Sequence, residues 1–296
     1  MPDGESPFPG HGEAPVDAIV LRMLLGSQLR LLREAAGVTP ERAGEEIRAS
    51  KSKISRMEAG KVTFKLRDAA DLLSLYGVTG EQTRSRFLDL VRQSGTPDWW
   101  MKYGDILPDW FETYLGLEST AAAIRGFEMQ FVPGLFQTED YARAVIRLGH
   151  ETASAGEIEQ RVALRLKRQD LHSTPEPPVI WSVMDEAVLR RQVGGPAVMR
   201  VQLRRLAEAA SMPHVTFQVV PFGAGAHAGA SGSFTVLRFA ERDLPDVVYI
   251  EQLTSAMYLE QRPDVEHHLE VLDRLSGQAL TPAATIRFIE QAARDA

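Results

Sequence analysis

The chain has 296 residues, which at about 150 residues per domain suggests two domains. It is 44% apolar and 25% charged, a soluble globular balance that excludes a wholly disordered, collagenous or coiled-coil chain. No run of 18 apolar residues is present to span a bilayer. There is no cysteine, which excludes a disulfide scaffold, a thiol nucleophile and Cys-ligated zinc, and suits a reducing cytoplasm. The net charge of −7 is unevenly spread. Residues 16–96 carry 14 basic and 10 acidic side chains, hence +4; residues 97–296 carry 19 and 27, hence −8. Within Arg48–Arg67 seven residues are basic and only Glu58 is acidic. A local basic patch on an acidic chain is what focused nucleic-acid contact needs. The competing reading is a solvated helix face.

Met1–Pro15 is Pro/Gly-rich and acidic, lacks the basic and apolar regions of a signal peptide, and reads as a disordered tail. Residues 17–36 read as a helix, because Leu21, Leu25, Leu29, Leu32 and Ala36 recur along one face before Gly37. Thr39 caps a second helix with Pro40 at its first position, and Ile47 closes it. Ser50 caps a third, with Ile54 and Met57 facing inward and Gly60 ending it. A fourth helix is expected over about 65–75 and a fifth over about 80–94. Five short helices make residues 16–96 an all-α domain, and Gly95–Pro97 mark its end.

The expected second domain, residues 97–296, begins with a mostly helical stretch over 98–145, broken by turns at Leu107–Pro108 and Val132–Gly134. Thr138 is expected to cap a helix, and Glu157–His172 forms another. Four strands are expected at Val179–Met184, Val215–Val220, Ser233–Phe239 and Asp246–Gln252. Helices around 185–192 and 196–210, then Pro263–Ser276 and Pro282–Arg294, complete an α+β domain with a small mixed sheet.

Helices two and three meet across Arg48-Ala49-Ser50, the spacing of a helix-turn-helix. The third helix turns Lys51, Ser52, Ser55 and Arg56 outward, residues able to read base edges in a major groove. The segments LREAAG and SKISRMEAGK, within residues 20–78, resemble the phage-repressor-like (Xre-type) helix-turn-helix of bacterial regulators. The resemblance implies that Lys51, Ser52 and Arg56 contact bases of double-stranded DNA. It implies that Thr39, Ser50, Lys53, Ser55 and Lys61 lie near phosphates, and that Arg33 and Glu58 form an inward ion pair. Two positions depart from that pattern. The usual turn glycine is Arg48, and holding it left-handed costs roughly 1–2 kcal/mol. The usual Leu-Ala pair of helix two is Ala43-Gly44, where an interior glycine costs about 1 kcal/mol relative to alanine.

The segments VPGLFQTEDYARAV (132–145), MDEAVLRRQVGG (184–195), QVVPFGAGAHAG (218–229), GSFTVLRF (232–239) and VVYIEQL (247–253) resemble the C-terminal domain of WhiJ-like actinobacterial regulators. That resemblance implies an antitoxin-like or developmental regulator with a small BldB-like partner protein, and not a reaction. A homodimer is expected because a single recognition helix reads few base pairs; a small-molecule ligand is possible, and no cofactor, metal or membrane contact is expected. Catalytic readings are weaker than structural ones. Asp185-Glu186 read as a helix cap. Gly223–Gly232 lacks the ending of a phosphate loop, so His227 sits in a flexible connection. His267 and His268 are adjacent and point apart. Arg161, Arg165 and Arg168 read as a solvated basic face or an acidic-partner contact. Trp99, Trp100, Trp110 and Phe111 read as packing between the domains, or as a ligand-lining wall.

Overall fold

A computed structural model describes residues 18–96, 98–240 and 244–296, apart from the Asp109 side chain. The expected tail at Met1–Pro15 lies outside these residues. The chain forms two compact units that divide between Met101 and Lys102, with Leu244 grouped in the first.

The first unit is helical: α1 (Ala18–Ala35), α2 (Pro40–Glu46), α3 (Lys51–Glu58), α4 (Leu66–Leu75) and α5 (Glu81–Gln93). Thr39 and Ser50 cap α2 and α3, their hydroxyls accepting from the Arg42 and Lys53 amides at 3.2 Å. Leu25, Leu29, Ile54, Met57, Leu72 and Phe87 share one core. Two glycines admit close packing. A Cβ on Gly26 of α1 would lie 2.5 Å from the Met57 carbonyl oxygen, so only glycine lets α3 approach α1 this closely. A Cβ on Gly44 of α2 would lie 2.6 Å from the Ala49 carbonyl oxygen. The helix-interior glycine that local propensity penalises is therefore required by the turn that follows it. Arg48 in that turn is left-handed, with φ 53°.

The second unit opens with a short 3₁₀ turn and α6 (Asp109–Thr120), followed by β1 (Ala123–Glu128). Next come α7 (Glu139–Gly149), α8 (Ala155–Arg168), β2 (Val179–Asp185), α9 (Ala187–Arg190), α10 (Pro196–Ala209) and β3 (Val215–Val220). The chain ends with β4 (Phe234–Arg238), β5 (Val247–Glu251), β6 (Ala256–Leu259), α11 (Arg262–Gln278) and α12 (Pro282–Asp295). One six-stranded sheet has the order β3-β2-β1-β4-β5-β6. The β1–β2 and β2–β3 pairs are parallel; β1–β4, β4–β5 and β5–β6 are antiparallel. The protein is thus an N-terminal helical helix-turn-helix region followed by an α+β domain with a mixed sheet.

Two strands were not expected. β1 falls in the stretch read as mostly helical, yet it lies at the centre of the sheet. Its sequence, AIRGFE, follows an Ala-rich run that mimics a helix, and pairing on both edges overrides that propensity. β6 is only four residues long and carries little pattern of its own. One face of the sheet packs Phe127, Val183, Val236 and Val248 against Val265, Leu272 and Leu275 of α11. On the other face Phe136 meets Phe217 edge-on at 4.8 Å, and Tyr114 of α6 lies 4.2 Å from Tyr249, centroid to centroid.

Candidate nucleic-acid interface

Helix α3 exists because Ser50 caps it and because Ile54 and Met57, each 1% exposed, anchor one face in the core. That anchoring leaves Lys51, Ser52, Ser55 and Arg56 exposed on the other face. Arg56 forms no ion pair with any described residue and is free to reach a ligand. Lys51 Nζ lies 2.8 Å from Glu41 Oε1, both side chains exposed, and Lys51 chiefly holds the Glu41 carboxyl below its usual range. Lys53 is more sheltered, with its Nζ 2.7 Å from Asp68 Oδ2 on α4. Lys61, just past the end of α3, is exposed, and its amide donates to the Arg56 carbonyl at 2.9 Å, closing the helix. The Thr39 and Ser50 oxygens are used as caps, but each hydroxyl keeps a proton that can be donated to a phosphate. All eight expected DNA-facing residues thus lie on α3 or on the capping turns before α2 and α3 and after α3. Asp68 and Glu41, which bind two of the lysines, carry no sequence signal: neither stands at helical spacing from its partner.

Behind α3, Arg33 of α1 grips Glu58 through two bonds, Nε–Oε1 at 2.6 Å and Nη2–Oε2 at 3.0 Å. Both side chains are only 9% exposed. Arg33 also donates to the Val38 carbonyl at 3.0 Å, tying the start of α2 to the same cluster. The hydrogen bonds that Arg33 donates to Glu58 raise the Arg33 pKa above its ordinary value against the cost of burial. The acidic residue in the basic patch is consumed inside the fold and does not oppose DNA.

In the second unit Asp185 caps a helix, its Oδ1 accepting from the Ala187 amide at 2.7 Å, while Glu186 accepts from the Phe222 amide at 2.8 Å. His227 is not in a free connection. Its Nδ1 accepts from the Gly229 amide at 3.2 Å, so its Nε2–H faces Asp185 Oδ2 at 3.2 Å. Both ring nitrogens are spent holding the loop to the end of β2. His268 turns its Nδ1 to the Asp264 carbonyl at 2.7 Å, its ring nearly perpendicular to that of His267. Thr138 stands at the N-terminus of α7, but its hydroxyl makes no capping bond. Its backbone amide instead donates to Gln202 Oε1 at 2.7 Å. The α8 arginines overturn the reading of a solvated face. Arg168 is 8% exposed and pairs with Glu118 through two 2.7 Å bonds, and Arg165 donates to Gln137 Oε1 at 3.1 Å. Periodicity alone does not say which face of an amphipathic helix lies inward when the buried one is basic. Trp99 and Trp100 meet edge-on within the first unit, and Trp110 and Phe111 within the second.

Among the described residues no helix is long and apolar enough to cross a membrane. Residues 24–85 match the family described as a helix-turn-helix domain, which defines the N-terminal unit as a DNA-binding module of that class. Residues 111–291, more than half of the chain, match the domain of unknown function DUF5753, and the chain belongs to that family. No curated protein and no solved structure matches it.

Proposed function

We propose that the protein is a sequence-specific transcriptional regulator, acting on double-stranded DNA in the cytoplasm as a homodimer, with a second unit that senses a ligand or partner. The observation that carries this reading is the exposed polar face of α3 on its buried Ile54–Met57 anchor, with Arg56 in no ion pair among the described residues. In this reading Lys51, Ser52 and Arg56 read bases. Thr39, Ser50, Ser55 and Lys61 hold phosphates, joined by Lys53 when it leaves Asp68. The resemblance to WhiJ-like regulators supports a sensing role for the second unit. The reading is of a binding protein and not an enzyme, since Asp185 and His227 are engaged with each other and with backbone amides.

The test is gel retardation of the DNA upstream of the protein's own gene. Arg56→Ala should lose specific retardation while the fold survives, because one bidentate base contact carries about 1–3 kcal/mol of discrimination. Equal loss on specific and random DNA would reduce Arg56 to a phosphate contact. A second reading, an antitoxin-like module that pairs with a small BldB-like protein, is favoured by one observation. The edge strand β6 follows Leu253, which is 97% exposed, and carries Met257, which is 46% exposed. An open edge is where another chain can add a strand. Failure of the purified protein to retard any DNA unless a partner is added would favour this second reading.

A further inference from the structure

Helices α10 and α12 pack side by side, each with one face sealed in the core. Met199, Leu203 and Leu206 of α10 are fully buried, as is Ile289 of α12. Thr285 ties α12 to the sheet, its hydroxyl accepting from the Val219 amide of β3 at 3.2 Å. With their inner faces fixed, the two helices line a groove of about 430 Å³ with Arg200, Arg204, Ala207, Glu290, Ala293 and Arg294. Small-molecule sites run about 300–1,000 Å³. Arg200, Arg204 and Ala207 follow at steps of four and three residues along α10, so they share a face. The two alanines are short enough to leave the space between the longer side chains open.

The lining carries three guanidiniums and one carboxylate, a formal excess of two positive charges. It stands in a part of the chain that is acidic overall, since residues 97–296 hold 19 basic and 27 acidic side chains. Elsewhere in that part Arg125, Arg143, Arg190 and Arg238 each meet a carboxylate at 3.1 Å or closer. The side chains of Arg200 and Arg204 meet none, and neither makes a hydrogen bond with any described residue. Arg294 has Glu290 one turn back on α12, the spacing of a helical ion pair. It donates instead to the neutral Gln291 Oε1, at 2.9 Å from Nη2 and 3.3 Å from Nε. Glu290 is likewise in no ion pair among the described residues. The groove thus gathers positive potential within a negative surround, and its four charged side chains are all exposed and take no part in the core.

We propose that the groove between α10 and α12 binds a phosphorylated small molecule that carries hydroxyl or amine donors beside its phosphate, the class to which nucleotides belong. A guanidinium presents a planar fork that meets phosphate or carboxylate oxygens in pairs. A carboxylate is satisfied by a single fork. Three forks drawn from two helices suit a group with more charged oxygens and more than one negative charge, which a phosphate or diphosphate supplies. Glu290, once ionised, can only accept hydrogen bonds, and it repels a bare anion. Its place in the lining fits a ligand that offers a donor next to its phosphate. This inference rests on the reading of the second unit as the sensing half and gives that half a ligand class.

The test uses the full chain without DNA, titrated in turn with ADP, adenosine and inorganic pyrophosphate and followed by calorimetry. ADP should bind saturably at one site per chain, and more weakly as chloride rises. Adenosine, which lacks the phosphates, should not bind. Arg200→Gln and Arg204→Gln should each weaken ADP about tenfold or more, as expected for a lost charge-assisted bond. Neither should move the melting temperature of the free protein, because both side chains are exposed. Arg262→Gln, at a side chain 88% exposed and outside the groove, should leave ADP binding unchanged. Glu290→Gln should weaken ADP while strengthening pyrophosphate, which has no donor to offer it. No saturable ADP binding, equal binding of adenosine, or equal losses in Arg204→Gln and Arg262→Gln would overturn the proposal. A Glu290→Gln variant that strengthens both ligands would also overturn it, since the carboxylate would then only compete for the arginines. Random duplex DNA that loses affinity in Arg204→Gln while ADP never binds would assign the groove to nucleic acid instead. Gel retardation of the upstream DNA on the same samples separates this site from the function it rests on. ADP bound with no change in DNA affinity keeps the site and removes the sensing role, whereas normal retardation with no ADP bound overturns the site and leaves the regulator standing.

Discussion

Arg33 and Glu58 are nearly excluded from water and bonded through two pairs of atoms, a geometry in which losing either partner strands the other. Arg33→Ala or Glu58→Ala should therefore each cost roughly 3–5 kcal/mol. The double variant should cost much less than the sum, as read from denaturant unfolding in a double-mutant cycle. Zero coupling would mean that the pair contributes no more than its packing. The turn offers a contrast between two neighbouring positions. Arg48 is left-handed, so Arg48→Gly should relieve strain and stabilise the first unit by about 1 kcal/mol at most, because added chain entropy offsets part of the gain. Gly44→Ala, which helix propensity alone favours, should destabilise it, since the new Cβ would overlap the Ala49 carbonyl oxygen. A melting temperature that rose for Gly44→Ala would show that the turn can move away.

At the scale of elements, the five helices of the first unit were legible because each carries its own cap or stop and an apolar stripe of helical period. The exposure of Lys51, Ser52, Ser55 and Arg56 was legible for the same reason: a short helix with two buried apolar anchors has only one face left to show. What was not legible depends on distant partners. β1 acquires its identity from β2 and β4 on either side, and a hexapeptide that begins on the last of three alanines does not announce either neighbour. The inward turn of the α8 arginines depends on Glu118 and Gln137, 50 and 28 residues away. A further long-range link joins the 3₁₀ turn after α8 to the start of β3. His172 donates from Nε2 to the Leu135 carbonyl at 3.0 Å, and its Nδ1 faces His214 Nε2 at 3.2 Å, an arrangement that suits a neutral ring. Burial lowers its pKa, with the neighbouring His214 adding to the effect. The unfolded state then binds the proton more readily than the native one. This contribution to stability is complete above about pH 6.5, the unfolded value, and is lost as pH falls below it. Urea midpoints should accordingly fall more steeply from pH 7 to pH 5 in the parent than in His172→Gln. Parallel profiles would show that the ring is protonated without cost.

For the molecule as a whole, one copy of α3 reads few base pairs, so useful affinity calls for two copies on symmetric half-sites, about 34–36 Å apart. Footprinting should reveal a pseudo-palindrome at that spacing. Affinity should fall steeply with salt, by a logarithmic slope of about 0.9 per phosphate neutralised. A shallow slope, or a single unrepeated half-site, would leave a monomeric binder. The ion pairs of Lys51 with Glu41 and Lys53 with Asp68 have a consequence for the search through a genome. Each carboxylate behaves as a tethered decoy phosphate that DNA must displace. Bulk DNA offers only its backbone in exchange, so the trade gains it little. The operator offers base edges as well and recovers the cost. On the proposed reading the cost of opening the pairs is common to every DNA, so it lowers affinity throughout and leaves the ratio between the module's own site and the vast excess of others, which decides occupancy in a cell, to the base contacts alone.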